Sequence, residues 1–288
     1  MMRLCPVQIK LASTPLKGHY ERDKATDNPI RGAVKDIDIK LLMDEWPYEP
    51  EQNIRMVRFS DGRALLQVRL PMGIEQYEVK GRPDGKTPHH MVSALAYHEG
   101  RLKDATEAGI EAAFRLDHVA CEELFEESTL YYLRYIRYLE IEDWERTLAD
   151  TLHNLRLFDL VARYAEKPDD RLHLEQWRPY LMRVSALAAA MIQMKKKHPE
   201  KALIVLQEAV TRIRALPALD FESYTQEMRH SIAELNALLK RIRNETPPSP
   251  TDALEKQLQE AIRTEAYEKA ALLRDQIEAL RTKSNKRK

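Results

Sequence analysis

Cysteine is the least frequent residue type in this 288-residue chain, which contains only Cys5 and Cys121. Two cysteines so far apart form no C-x-x-C pair and no Cys/His spacing of a zinc site. They also exclude a disulfide framework of the kind that stabilises small secreted proteins. We therefore expect a cytoplasmic protein with no metal site and no cofactor.

Glycine is also scarce, and the sequence has neither a long apolar run nor a net charge. The 8 glycines disfavour an all-β sandwich or a glycine-rich nucleotide fold. No run of about 18 apolar residues is present, so we expect no transmembrane helix, and the first residues lack the apolar region of a signal peptide. The 46 basic and 46 acidic residues cancel, which removes the simplest argument for DNA or an anionic membrane as a partner of the whole chain.

Apolar residues make up 43% of the chain and charged residues 32%, enough for a core beneath an ionised surface. Both ends are basic. Residues 1–35 have no sustained period and carry seven Lys/Arg against three Asp/Glu, which predicts a poorly ordered leader. Residues 282–288 form a basic tail. Either end can serve as a weak nucleic-acid arm.

Residues 36–110 predict a small β-meander followed by a helix. Strands are expected over 53–59, 64–70 and 74–79, with Asp61-Gly62 as the first hairpin turn. Three strands cannot bury both faces, so one face should pack on the helices that follow.

Residues 111–243 show the 3–4 spacing of amphipathic helices and predict a body of stacked helical hairpins. Segments 142–148 and 197–203 both resemble the turn of a tetratricopeptide-type hairpin, although their offset of 55 residues differs from the ~34 of a regular array. An ordinary helical bundle therefore stays open. The apolar stripes are Leu148, Leu152, Leu155 and Phe158; Leu181, Val184, Ala188 and Met191; Leu203, Leu206, Val210 and Ile213; and Ile232, Leu235, Leu239 and Ile242.

Residues 244–253 contain three prolines and predict a stiff linker. Ser249 can cap the next helix and Pro250 suits its first position. Residues 254–281 then predict a short antiparallel α-hairpin. Helices of this length are only marginally stable in water, so another surface should pack against the apolar face of the hairpin. That surface is either a partner hairpin, in a four-helix arrangement, or the chain's own body.

Residues 270–277 read Ala-Ala-Leu-Leu-Arg-Asp-Gln-Ile, preceded by Tyr267-Glu268 and Leu254-Glu255. This pattern resembles the UVR motif of bacterial excinuclease B and C subunits, Clp-type ATPases and the activator of the protein arginine kinase. Tyr267 stands where the family usually has Phe. The resemblance implies a hairpin that pairs with another such hairpin, with Arg274 and Asp275 as the motif's charged pair. The expected partner-binding residues are Leu254, Leu258, Ile262, Tyr267, Ala270, Leu273, Arg274, Asp275, Ile277 and Leu280.

Residues 81–85, Gly-Arg-Pro-Asp-Gly, resemble a signature of uncharacterised bacterial UVR-motif proteins. With Lys86-Thr87 they imitate a P-loop, but only three residues separate the glycines and Pro88 follows. We expect a rigid turn whose Arg82, Asp84 and Lys86 form a surface loop available to a partner.

Two groups of polar residues are expected to be solvated rather than functional. One is the acidic helix face of Glu122, Glu123, Glu126 and Glu127. The other comprises the Glu227/His230 and Asp150/His153 pairs, whose spacing imitates a di-iron site without its further carboxylates.

The sequence thus predicts a mainly α protein with a small antiparallel β-meander, a stacked helical-hairpin body and a C-terminal antiparallel α-hairpin. We expect no enzyme, since no nuclease, helicase or hydrolase motif is found. The predicted function is an adaptor or scaffold that docks a protein through the UVR-like hairpin, a second copy or another UVR-motif protein, in nucleotide excision repair or Clp-type protein quality control. The alternative is a nucleic-acid-associated DNA repair factor that uses the basic termini.

Overall fold

The structure is a computed structural model that describes residues 38–246 and 250–285. The predicted leader 1–35 and the end of the basic tail lie outside the described residues. Within them the protein is mainly helical with one small sheet, which confirms the predicted fold class.

The sheet follows a short helix, α1 (Lys40–Glu45), and has three antiparallel strands in chain order. They are β1 (Ile54–Arg58), β2 (Ala64–Leu70) and β3 (Gly73–Glu78). Gly62, in the first turn, has φ +85°, a conformation that costs glycine little. The predicted meander is confirmed.

One face of the sheet is covered by the helix α3 (His118–Glu140), as the three-strand argument requires. Leu66 and Val68 of β2, with Tyr77 of β3, form an apolar cluster with Tyr138 of α3. The sheet and the helices therefore share a core.

The other body helices are joined by short connections and pack in consecutive hairpins, α3 on α4, α6 on α7 and α7 on α8, with α4 also on α6. Two large apolar clusters fill most of the body, one centred on α3 and α4 and one on α6, α7 and α8, and a smaller cluster around Trp144 joins α4 to α6. Among the described residues, none of the helices is both long and apolar enough for a bilayer span. The bounds are α2 (Ala94–Glu107), α4 (Trp144–Tyr164), α5 (Pro168–His173), α6 (Arg178–Lys195), α7 (Pro199–Arg214) and α8 (Glu222–Glu245).

Three of the four predicted apolar stripes, on α6, α7 and α8, are buried or partly buried. The stripe on α4 is wrong in one position, because Leu152 is 47% exposed. The buried face of α4 instead includes Asp150, Thr151 and Asn154. These polar residues are buried because they find partners there, as when Asn154 donates to the carbonyl of Ser128 at 2.9 Å.

The related segments 142–148 and 197–203 begin with the same turn. Glu142 and Lys197 have φ of +56° and +61°, and Glu265 repeats the conformation at +56°. In each turn the N–H of the following residue donates to the carbonyl five residues earlier, at 2.8 to 2.9 Å. This is a Schellman C-cap with a non-glycine residue in the left-handed position. The wider tetratricopeptide resemblance stays a prediction.

The predicted linker 244–253 is partly helical at both ends. Helix α8 ends at Glu245 and the next helix begins at Pro250. Pro250 thus opens a helix as predicted, since its missing N–H has no intrahelical partner at that position. Ser249, the predicted cap, lies outside the described residues.

Candidate functional site

The C-terminal hairpin consists of α9 (Pro250–Arg263) and α10 (Tyr267–Asn285). Ala266 donates its N–H to the carbonyl of Ala261 at 2.8 Å, and Glu265 donates to Ile262 at 3.1 Å. Ala261 and Ala266 also belong to one apolar cluster. The turn therefore satisfies the last carbonyls of α9 and sends α10 back along it.

The inner face of the hairpin is a small apolar core. Ala261, Ala270 and Leu273 are 3%, 7% and 5% exposed. Leu254, Leu258 and Ala266 pack around them partly buried, and every described member of the cluster belongs to α9, α10 or their connection. Of the predicted partner-binding residues, Ala270 and Leu273 thus lie inside the hairpin itself. Their helical spacing identifies an apolar face, but it cannot say which helix covers that face.

A second set of apolar residues lies outside this core. Ile262, Tyr267 and Leu272 are 47%, 69% and 64% exposed. We call these three residues the outer flank. Ile262 and Tyr267 are among the predicted partner-binding residues. Leu272 is not, because the helical spacing of apolar residues in α10 passes through its neighbour Leu273. These exposures are what the structure shows of the outer flank; contiguous apolar patches mark interaction sites, whereas single exposed apolar residues are common.

The remaining predicted residues are mostly polar and exposed. Arg274 and Asp275 are exposed, and within the described part of the chain neither makes a hydrogen bond or ion pair. A bridging role for this pair would involve another hairpin and stays a prediction. Ile277 is buried at 6% exposure. Leu280 lies in α10, and its side chain is outside what the structure describes.

The second predicted site is the loop of residues 81–87. Lys86 and Asp84 are exposed, but Arg82 is only 5% exposed, so the prediction of a surface residue is wrong there. Arg82 Nε donates to Asp84 at 3.0 Å and Nη2 donates to Glu126 at 3.1 Å. A guanidinium can be buried when carboxylates occupy its donors in this way.

Beneath this loop, Glu127 of α3 is fully buried. Its carboxylate accepts hydrogen bonds from the N–H groups of Ala94 and Leu95 at 2.6 and 3.0 Å and from His153 at 3.0 Å, with Arg82 at 3.5 Å. Burial alone would raise the pKa of Glu127, but the hydrogen bonds from His153, Leu95 and Ala94 outweigh it and hold the pKa below its ordinary value. The carboxylate caps α2 from another helix.

The acidic face of α3 is therefore only partly solvated, which corrects the prediction for Glu127 and Glu123. Glu122 and Glu126 have side chains about 60% exposed, as expected. Glu123 lies 3.1 Å from His89 and 3.2 Å from His98. These carboxylates attach the segment 82–98 to α3, a role that sequence periodicity does not reveal.

The Asp150/His153 pair, which was expected to be solvated, is buried at 5% and 8% exposure, so that prediction is wrong. Asp150 accepts a bidentate pair of hydrogen bonds from Arg134 at 2.7 and 2.8 Å. Arg134 also donates to the carbonyls of Glu78 and Gly81, which joins the sheet to α3. Within the described residues, no group of three or more His, Cys, Asp or Glu is placed to hold a metal ion. These polar residues hold the fold together.

The geometry thus defines a helical protein that ends in a small hairpin with an apolar outer flank. The family model of the UvrB/uvrC motif matches residues 250–283, which are this hairpin. The chain carries a UVR motif, as its residue pattern indicated. No curated protein and no solved structure gives a significant match to the chain. UVR motifs occur in excision repair proteins and Clp-related proteins, so the match fits a role in repair or protein quality control.

Proposed function

We propose that this protein is an adaptor that docks a protein partner through the outer flank of its UVR hairpin. The partner carries a hairpin of the same kind, on a second copy of this chain or on an excision repair or Clp-type protein. The observation that carries the proposal is the exposure of Ile262, Tyr267 and Leu272 on a hairpin that the family model matches.

The physical support is the small size of the hairpin's own core. Among the described residues, the apolar cluster between α9 and α10 has three buried members, two of them alanine. Isolated helices of this length are marginal, and burying a large apolar side chain contributes about 1.5–3 kcal/mol. Covering the outer flank with a second hairpin would therefore stabilise both hairpins and the complex together.

The proposal assigns no reaction to this chain. Arg82, Glu127 and His153 are engaged with one another, and Arg134 is engaged with Asp150. Such buried pairs lose stability when one partner is removed, which is a structural role.

The proposal is tested by comparing Leu272→Asp with Met72→Asp in the full chain. Met72 is 88% exposed in the turn between β2 and β3 and supplies a matched control. Binding is measured against a differently tagged second copy, a purified excinuclease B subunit and a purified Clp-type ATPase. We expect Leu272→Asp to weaken binding to at least one of them by about tenfold or more, because a charge replaces buried apolar surface, and Met72→Asp to leave it unchanged.

Salt dependence distinguishes this function from nucleic-acid binding by the basic termini. An apolar contact should persist at about 0.5 M salt, where phosphate contacts weaken steeply. If the wild-type chain binds none of the three proteins, or if both variants bind equally, the outer flank is not the docking surface. Binding to single-stranded or duplex DNA alone, lost at high salt, would favour the repair-factor alternative.

A further inference from the structure

A groove on the body, open to solvent on one side, lies between α4, α6 and α7 and has a volume of about 630 Å³. Its walls are mainly apolar and include Leu152, Leu155, Met182 and Val205. A volume of this size is typical of sites for small organic molecules, which range over about 300–1,000 Å³. The exposure of Leu152, which departs from the pattern expected of an amphipathic helix, is explained by its position on the wall of this groove.

Two buried polar side chains, His153 and Ser185, also line the cavity, and each is 8% exposed. His153 Nε2 lies 3.0 Å from the Glu127 carboxylate. Because the Glu127 carboxylate also accepts from the N–H groups of Ala94 and Leu95, it is the acceptor in this contact and Nε2 of His153 is the donor. In the neutral imidazole, Nδ1 is then an acceptor with a free lone pair.

Neither Nδ1 of His153 nor Oγ of Ser185 has a hydrogen-bond partner in the described part of the chain. Neither belongs to the fully enclosed polar atoms that lack a partner there, which are Arg137 Nε, Tyr138 OH and Asn154 Oδ1. Solvent or a ligand can therefore reach both atoms from the groove. Both atoms are therefore available to form a hydrogen bond with an occupant of the groove.

The charges at the rim balance. Arg156 and Arg212 face Asp159 and Glu208 around the cavity. Asp159 is paired with Arg178 at 2.7 Å. With no excess of one sign, the rim favours a neutral ligand over an anion or a cation.

We infer that this groove binds a small neutral molecule with an apolar body and one O–H or N–H group, which donates a hydrogen bond to Nδ1 of His153. The apolar body lies against Leu152, Leu155 and Met182. A purely apolar occupant, such as the apolar face of a helix, would leave Nδ1 unpaired and bind about tenfold more weakly for that reason. The site therefore selects ligands that carry an O–H or N–H donor.

Another cavity of the described chain, about 730 Å³ near the end of α2, does not carry the same inference. Two of its polar side chains are already occupied. Arg115 donates to the carbonyls of Ala112 and Phe114, and Asp117 caps α3 by accepting from the N–H of Ala120.

The test uses two probes with the same ring system, 2-naphthol, which has an O–H donor, and 2-methoxynaphthalene, in which a methyl group replaces the donor hydrogen. Each is titrated into the full chain and followed by its fluorescence. We expect 2-naphthol to bind about tenfold more tightly, the equivalent of one hydrogen bond. In a chain labelled with ¹⁵N-histidine, 2-naphthol should shift the Nδ1 resonance of His153, whereas 2-methoxynaphthalene should not.

The matched variants are Leu152→Glu in the groove and Ile204→Glu outside its lining. Both residues are about half exposed, at 47% and 55%, so neither substitution should unfold the body. Leu152→Glu should weaken 2-naphthol binding about tenfold, and Ile204→Glu should leave it unchanged. Equal affinity for the two probes would make the groove an apolar surface without donor selection and overturn the inference. So would equal binding to the two variants, or an unmoved His153 resonance.

Discussion

The helices of the body and those of the C-terminal hairpin are held together by different kinds of buried residue. The body places charges inside, with Glu127 fully buried and Arg134 only 2% exposed, each matched by several partners. The hairpin encloses Ala261, Ala270 and Leu273 and leaves three larger apolar residues on its outer flank. Matched charges specify one arrangement of the body, whereas the hairpin has a surface that a further partner can complete.

The largest effect should come from Glu127→Gln in the body. The amide keeps the shape but removes the charge, and its NH₂ group faces N–H donors, so we expect a loss of about 3–5 kcal/mol in the free energy of unfolding. Chemical denaturation followed by tryptophan fluorescence measures this, because Trp144 and Trp177 lie in the body and Trp46 lies just before the sheet, so none of the three is in the hairpin. Glu126→Gln, with a side chain 60% exposed, is the control and should lose far less. Equal losses would show that Glu127 does not support the body as described.

The next effect should be confined to the hairpin. Leu273→Asp places an unpaired charge in the inner face, which costs several kcal/mol and exceeds what so small a core can supply. We expect hydrogen exchange of the α9 and α10 amides to lose protection while tryptophan fluorescence is unchanged. Leu272→Asp, its exposed neighbour, should keep the hairpin folded. If the two variants exchange alike, the inner and outer faces have been assigned wrongly.

A smaller effect should follow from lowering the pH, and it should appear as a loss of stability of the body. Burial lowers the pKa of His98 despite Glu123 beside it, and hydrogen bonds hold the pKa of Glu127 low despite burial. In both cases the unfolded chain binds more protons, so stability falls as pH falls. The loss should begin below the ordinary His pKa of 6.5 and steepen below the ordinary Glu pKa of 4.5. Denaturation midpoints across this range measure it. His98→Gln should reduce the upper step and leave the lower one, because burial also lowers the pKa of His173, which accounts for the rest of the upper step.

The smallest effect should come from the turn of the hairpin. Glu265 occupies the left-handed region at φ +56°, where a side chain costs about 1–2 kcal/mol and glycine does not. Part of the gain is offset by the entropy that glycine loses on folding, so Glu265→Gly should stabilise the hairpin by about 0.5 kcal/mol. Glu268→Gly, in the first turn of α10, should instead destabilise it. Protection factors of α10 amides distinguish the two, and a loss of protection in Glu265→Gly would contradict the turn geometry.

Much of the fold follows from local patterns. Helical spacing placed the stripes of α6, α7 and α8, and Asp61-Gly62 placed the first turn of the sheet. Leu152 and Glu127 could not be placed in this way. Leu152 has the spacing of a core residue, yet it borders a groove, because α6 and α7 do not close over it. Glu127 has the spacing of a solvated residue, yet it is buried, because α2 begins directly above it.

In the candidate site, two adjacent residues show the same difference between what local sequence predicts and what the tertiary structure decides. The motif around residues 270–277 identified the hairpin, and its family match agrees. Leu272 and Leu273 are chemically identical and next to each other, and only the path of α9 decides that Leu273 is enclosed and Leu272 exposed.

The amino-acid sequence by itself determined the helices, the meander and the UVR motif, because hydrogen bonding, apolar periodicity and turn conformation act over a few neighbouring residues. The tertiary structure alone decided which charges are buried, which leucine faces outward and where a cavity opens. Those outcomes depend on contacts between segments distant in the chain, such as Glu127 with Ala94 or Arg134 with Gly81, which no local spacing encodes.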